Sequence, residues 1–263
     1  MRTTIVMDMI ITITITIMIT ATIITMTEPG ALGLSDQGRL TRLMRLMAWL
    51  SPSFPVGAFS YSHGIEQAVE AGLIADRDAA ASWISGILHF GAGWIDAGLF
   101  LAAHRAVTAG DAAALPEIAG YAAAWRGTAE TALEASAQGR AFLSTLQAAW
   151  SGPELDPWLL HLTAGPSYPV VVAVAAAAIE LPEDEALAAY LHAFAANLVS
   201  AALRLVPLGQ TDGQRLLARF SDEIPAIVVA ARLTPPEDLG SAALMVDWTS
   251  ARHETQYTRL FRS

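Results

Sequence analysis

Apolar residues recur at helical spacing along most of this chain. Between Gln37 and Leu50 they are Leu40, Leu43, Met44, Met47 and Leu50, three and four apart, the stripe of an amphipathic helix. SPSFPVG at 51–57 holds two prolines and a glycine and must break that helix. A second helix is predicted from about Phe59 to Glu70, ended by Gly72. Asp76 can cap the next, and 77–109 reads as two helices meeting near Gly91–Gly93. Two or three more fill 111–149, and Asp156–Thr163 is a short one between prolines. Tyr168–Leu181 is almost continuously apolar, a short buried helix too brief to span a bilayer. Pro182, Glu183, Asp184 and Glu185 make a strong helix start, because the first turn needs no proline amide and its free N–H groups favour acids. That helix runs to about Val206, where Pro207 and Gly209 stop it. Thr211 and Gln214 form a capping-box pair for a successor ending near Ser221. A short helix at 224–233, a PPEDLG loop at 235–240 and a last helix at 241–251 follow. The pattern predicts an all-α fold, one bundle of about ten helices, with no internal repeat and no linker.

Residues 1–27 stand apart. Threonine and isoleucine alternate over 12–17, a low-complexity pattern unlike the rest. As a signal peptide the segment fails: its charged region is one arginine, Asp8 intrudes, and threonine fills half the apolar stretch. As a membrane span it is weak, since Met9–Thr27 is charge-free but carries seven threonines. Met26 opens MTEPGALG, a credible polar start. The expectation is that residues 1–25 come from a start codon placed too early and pack on nothing, and that the domain runs from 26 to 263.

Composition narrows the chemistry. Hydrophobic residues make up 54% and charged ones only 15%, which leaves little charge to cover a monomer's surface and hints at permanent partners. Net charge is −10, and all 15 basic residues are arginine. An acidic chain without a basic run is a poor nucleic-acid binder. Without lysine there is no ordinary P-loop and no Schiff base. Without cysteine there is no disulfide, zinc–thiolate site or thiol nucleophile, which suits a reducing cytoplasm.

Few side chains suggest a site. In SFPVGAFSYSHGIE, proline and glycine fix the path between Phe54, Phe59 and Tyr61. Either this is a rigid corner with its aromatics in the core, or it is a partner-facing loop presenting Ser60, Ser62 and His63. His63 and Glu66 share a helical face at i, i+3, but two ligands do not make a stable metal site. In VPLGQTDG, Pro207, Gly209 and Thr211 have architectural uses, which leaves Gln210 and Asp212 as exposed candidates. Arg204 lies on a largely apolar helix and needs an acidic or carbonyl partner if buried. There is no G-x-S-x-G, no H-E-x-x-H and no paired acids in a recognisable setting, so the residues outline no catalytic constellation. A helical metal-dependent hydrolase using His63 and Glu66 would need more ligands. A membrane protein would need long apolar stretches unbroken by proline.

Four stretches resemble the UreF family of urease accessory proteins: WLSPSFPVGAFSYSHGIE at Trp49–Glu66, ETALEASAQGRAFL at Glu130–Leu143, NLVSAALRLVPLGQTDGQRLL at Asn197–Leu217 and RHETQYTRLFRS at Arg252–Ser263. The first and third are the most distinctive. The resemblance implies a cytoplasmic, all-helical, non-catalytic homodimer without a cofactor. It would bind UreD/UreH and, through that complex, the GTPase UreG. The assembly would dock on the urease apoprotein for GTP-dependent nickel insertion. By the same resemblance VPLGQTDG lies near the dimer or UreG-facing surface. Ser60, Tyr61, His63, Glu66, Gln210, Asp212, Arg252, His253, Tyr257, Arg259 and Phe261 are the partner-binding candidates. Tyr257, Leu260 and Phe261 would share a face of a short tail helix. The tail is expected to be loose in the free protein and to fold on UreD/UreH, with Tyr257 and Phe261 as anchors. The alternative is a tail docked on its own domain.

Overall fold

The computed structural model describes residues 34–162 and 165–263. The expected extension at 1–25 lies outside them. The chain divides into two compact units, Met1–Leu40 and Thr41–Ser263. The described part of the first is the opening of helix α1, Leu34–Trp49. Helices α2 (Ile65–Glu70), α3 (Arg77–Phe90), α4 (Ala92–Thr108), α5 (Leu115–Ala124) and α6 (Ala129–Ala149) follow. Then come α7 (Asp156–Leu159), α8 (Tyr168–Ala178), α9 (Glu183–Leu205), α10 (Gln210–Leu233) and α11 (Leu244–His253). Among the described residues there is no strand, so the all-α expectation holds.

Helix α8 is the centre. Every residue from Pro169 to Ala177 is buried, and α4, α6 and α9 pack around it. Its valines and alanines are short, so neighbouring backbones come close. The segment entering α8 meets α6 at Gly139, where an added Cβ would sit 2.3 Å from the Pro166 carbonyl oxygen. Within this apolar centre Asp96 of α4 and Arg126 form a buried ion pair at 2.8 Å. The Tyr190 hydroxyl donates to Asp96 Oδ2 at 2.6 Å, and burial beside that carboxylate holds the phenol well above its usual pKa. Two apolar stretches, 77–108 and Glu183–Leu205, have the length and hydropathy to cross a bilayer. The first is interrupted at Gly91, and both lie half or more buried against other helices.

Asp76 caps α3 as expected, accepting from the Ala79 amide at 2.8 Å. Three expectations need correction. The helix predicted from Phe59 forms only a 3-10 turn at Ala58–Ser60 before α2, because His63 and Gly64 take left-handed φ values of 55° and 79°. Gly64 is also the point where the chain nearly touches α11, with a Cβ there falling 2.9 Å from the Ser250 amide nitrogen. The helices predicted at 211–221 and 224–233 are one, α10, with Pro225 inside. Leu216, Phe220, Ile224, Ile227, Val228 and Ala231 form an uninterrupted buried stripe across that proline. This burial offsets the lost backbone hydrogen bond, and the proline ring faces solvent. Finally, Asp212 and not Thr211 closes the start of α10, accepting from the Gly209 amide at 3.4 Å and pairing with Arg215 at 3.0 Å.

Gly139→Ala should lower stability by roughly 1–3 kcal/mol, the cost of overpacking a close backbone approach. A thermal melt checks this, and an unchanged midpoint would mean that α6 and the 165–168 segment can separate freely.

Candidate functional site

Helix α6 places three polar side chains on one face at i, i+4 and i+8: Glu130, Glu134 and Gln138. Phe142 and Leu146 continue the same line into the core, and all five are buried. A buried carboxylate must find donors. Most of those donors come from the far end of the chain.

Glu66, on α2, faces the same space. Its Oε1 accepts the Leu260 amide at 2.6 Å and its Oε2 the Phe261 amide at 2.9 Å. His253, wholly buried at the end of α11, bridges the two helices, with Nε2 2.9 Å from Glu66 Oε2 and Nδ1 2.8 Å from Glu130 Oε2. Arg259 donates to the other Glu130 oxygen at 3.0 Å. Glu134 accepts from the Ser263 hydroxyl at 3.0 Å and from the Gln138 amide at 3.1 Å, and lies 3.2 Å from His63 Nδ1. The Ser62 amide and hydroxyl both donate to the main-chain oxygen of Ser263, at 2.7 and 2.6 Å. The Arg262 amide reaches the Ser60 carbonyl at 2.8 Å. Three carboxylates thus hold the C-terminal tail against the bundle.

Phe261 completes the clamp. It is 3% exposed, with the Arg204 guanidinium 4.1 Å above its ring. Arg204 finds the carbonyl partner its setting required, donating to Phe59 O at 2.6 Å. Desolvation lowers the pKa of that guanidinium, which the ring face helps to offset.

The candidates therefore divide. Tyr61, His63, Glu66, His253 and Phe261 are buried, as is Ser62, so of the two readings of the 53–66 corner the outward-facing one does not hold for Ser62 and His63. Ser60 is half-buried, its hydroxyl donating to the Gly57 carbonyl at 2.7 Å. The tail helix is also corrected. Beyond His253 the chain is turns and coil, because Glu66 takes two successive tail amides that a helix would use internally. Phe261 turns into the domain, while Tyr257 is fully exposed and Leu260 largely so. Gln210, Arg252 and Arg259 are exposed, and Asp212 is half-buried with an architectural role. Glu130 and Glu134 were missed as site residues. Their signal was two acids and an amide at a spacing of four, in line with Phe142 and Leu146. Among the described residues no group of three or more acids and histidines is placed to hold a metal ion.

The UreF family model matches residues 74–221, more than half of the chain. This chain belongs to the UreF family. A urease accessory protein UreF of Granulibacter bethesdensis is 51% identical over 221 residues, covering 84% of this chain and 94% of that protein. A UreF from Rhodopseudomonas palustris strain BisA53 is 47% identical over 237 residues, covering 90% and 98%. One from Bradyrhizobium diazoefficiens is 46% identical over 241 residues, covering 92% and 100%.

Among the described residues, apolar side chains face solvent on α11 and along a groove beside α1. On α11, Val246, Thr249, Ser250 and His253 face inward, leaving Leu244 (78% exposed), Met245 and Trp248 (47%) outward, with Arg252 beside the Trp248 ring. A groove of about 610 Å³ runs between the end of α1, the 51–59 loop and α9. Leu43, Met47 and Phe59 line it with substantial exposure, and Met44 lies beside it on α1.

Glu66→Ala removes the acceptor for two tail amides and a buried histidine. It should cost about 3–5 kcal/mol, the range for breaking a buried charged network. Urea unfolding at neutral pH measures this; a loss under about 1 kcal/mol would show that water replaces the carboxylate.

Proposed function

We propose that this chain is a non-catalytic scaffold for urease maturation. It joins UreD/UreH and the GTPase UreG to the urease apoprotein, so that nickel is inserted in a GTP-dependent step. It works in the cytoplasm as a homodimer. Family membership supports the general role, and the resemblance supplies the partners.

The observation that carries the scaffold reading is the outward face of α11. Leu244, Met245 and Trp248 form an apolar stripe at the edge of a clamped tail whose Tyr257 and Leu260 also face solvent. Large apolar side chains grouped on one exposed face mark a docking surface. We assign it to UreD/UreH. Arg252 and Arg259 add positive charge there on a chain of net charge −10. The groove at α1 and α9 is assigned to the second copy, and Gln210, exposed at the start of α10, to the surface toward UreG.

The double variant Leu244→Glu/Trp248→Glu should keep the wild-type melting temperature and weaken co-purification with UreD/UreH at least about tenfold, as expected on losing anchor residues. Retained binding with an intact fold would sink the assignment of α11. Met44→Glu/Met47→Glu should convert the dimer to monomer in sedimentation, since charge placed in an apolar contact is costly. A dimer that survives would move the self-contact elsewhere. The pure chain should not hydrolyse GTP, there being no lysine for a P-loop. Turnover abolished by a point substitution in this chain would defeat the non-catalytic reading.

A further inference from the structure

A further groove, of about 590 Å³, is formed by α4, α5 and the loop that follows α10. It shares no lining residue with the groove beside α1, and none of its residues belongs to α11. Its walls are aromatic. Tyr121 and Trp125, four residues apart at the end of α5, are 56% and 42% exposed. Trp94 of α4 lines the groove half-buried, and Ile118 and Leu239 add apolar surface. A cavity of this size, apolar and edged by a few polar groups, has the usual make-up of a binding site.

The wall after α10 is set in place. Two prolines, Pro235 and Pro236, restrict its backbone. The Asp238 amide donates to the Pro235 carbonyl at 3.0 Å, and the Thr234 hydroxyl to the Ala230 carbonyl at 2.9 Å. Leu239 seats on α4 at Gly98, where an added Cβ would fall 2.6 Å from its Cδ1. A preformed wall spares an incoming ligand the cost of ordering it.

The charge of the groove is one-sided. Glu117 of α5 and Glu237 of the 3-10 turn Pro236–Asp238 line it, and both are exposed. Among the described residues neither has an ion-pair partner. Arg105 is the one cation in the lining, and it is committed: Nε and Nη2 donate to the two oxygens of Glu183 at 2.8 and 3.2 Å. Arg232 shares Glu183 at 3.0 Å and lies 3.8 Å from Asp184, so these two arginines are balanced by two acids. What remains is a pair of free carboxylates beside exposed ring faces. Both kinds of group attract cations, and the planar guanidinium suits both. An anionic lipid or nucleic acid would be repelled, and a second copy would bring the same net charge of −10.

We propose that this groove binds an amphipathic basic segment of another protein. An arginine of that segment stacks on Tyr121 or Trp125 and pairs with Glu117 or Glu237, while its apolar side chains reach Ile118 and Leu239. The proposal is independent of the occupants assigned to α11 and to the groove beside α1.

The probe is a synthetic helix-forming peptide of about 14 residues, with leucines at i, i+3, i+4 and i+7 and arginines flanking them. It is labelled with a fluorophore and titrated with the full-length protein, with anisotropy read at about 50 mM salt, where surface charges are weakly screened. Saturable binding below about 1 mM is expected, and none for the same peptide with glutamate in place of arginine. Trp125→Ala should weaken binding at least about tenfold, as the loss of an anchor does. Glu117→Gln/Glu237→Gln should weaken it at least about fivefold and leave the melting temperature unchanged, both positions being exposed. Absence of saturable binding to the wild type overturns the proposal by itself. Wild-type affinity in the Gln double variant overturns it too, since the peptide would then be held by diffuse charge. So does equal binding of the glutamate peptide. A Trp125→Ala protein that melts as the wild type but changes its sedimentation would give the groove to a second copy. Should Trp125→Ala lower the melt, the Gln double variant decides alone.

Discussion

A carboxylate taken out of water must be fully hydrogen-bonded, and Glu66 sets that condition for much of this molecule. Its oxygens take two tail amides and a histidine. Meeting that demand draws the tail inward, fixes the end of α11 against α2, and denies the tail its own helix. Glu130 and Glu134 impose the same requirement from α6, and the residues that meet it come from the same tail and from the 60–63 corner. The left-handed pair His63–Gly64 follows, since it turns Ser62 toward the main-chain oxygen of Ser263 and lets α11 approach.

The helices were legible in the sequence because their signals are local. The apolar run at 168–181, the acid-rich start at 183–185 and the cap at Asp76 each depend on residues within one or two turns. What was not legible depends on distant partners. The chain reads as two helices with a break between 221 and 224, until the buried stripe from Leu216 to Ala231 is seen to run through it and past Pro225. His63 and Glu66 read as a pair sharing a helical face at i, i+3, and only the arrival of residues 253–263 shows that their setting is an interior. The tail's spacing of Tyr257, Leu260 and Phe261 suits a helix. That local preference is weak in so short a segment, and the acceptor offered by Glu66 outweighs it.

The division between inner and outer residues also separates what the family motifs report. In the first motif Tyr61, His63 and Glu66 face inward, and in the last His253 and Phe261 do. Two motifs far apart in the chain are therefore two halves of one polar interior. The large apolar side chains that face solvent include neighbours of the motifs: Leu244, Met245 and Trp248 before the last, and Leu43, Met44 and Met47 before the first.

The clamp joins residues 194 positions apart in the chain, as in the contact of Leu260 with Glu66. A ribosome makes the acids first and their donors last. Through most of translation Glu66, Glu130 and Glu134 exist without the tail, so a nascent chain collapsing early around α8 must keep these carboxylates hydrated at its surface. The helices can associate during synthesis, but the polar interior can close only after residues 253–263 have left the exit tunnel. Truncation by premature termination would therefore produce a bundle with three solvent-seeking acids beside an apolar core, a form that cellular quality control could distinguish from the finished protein.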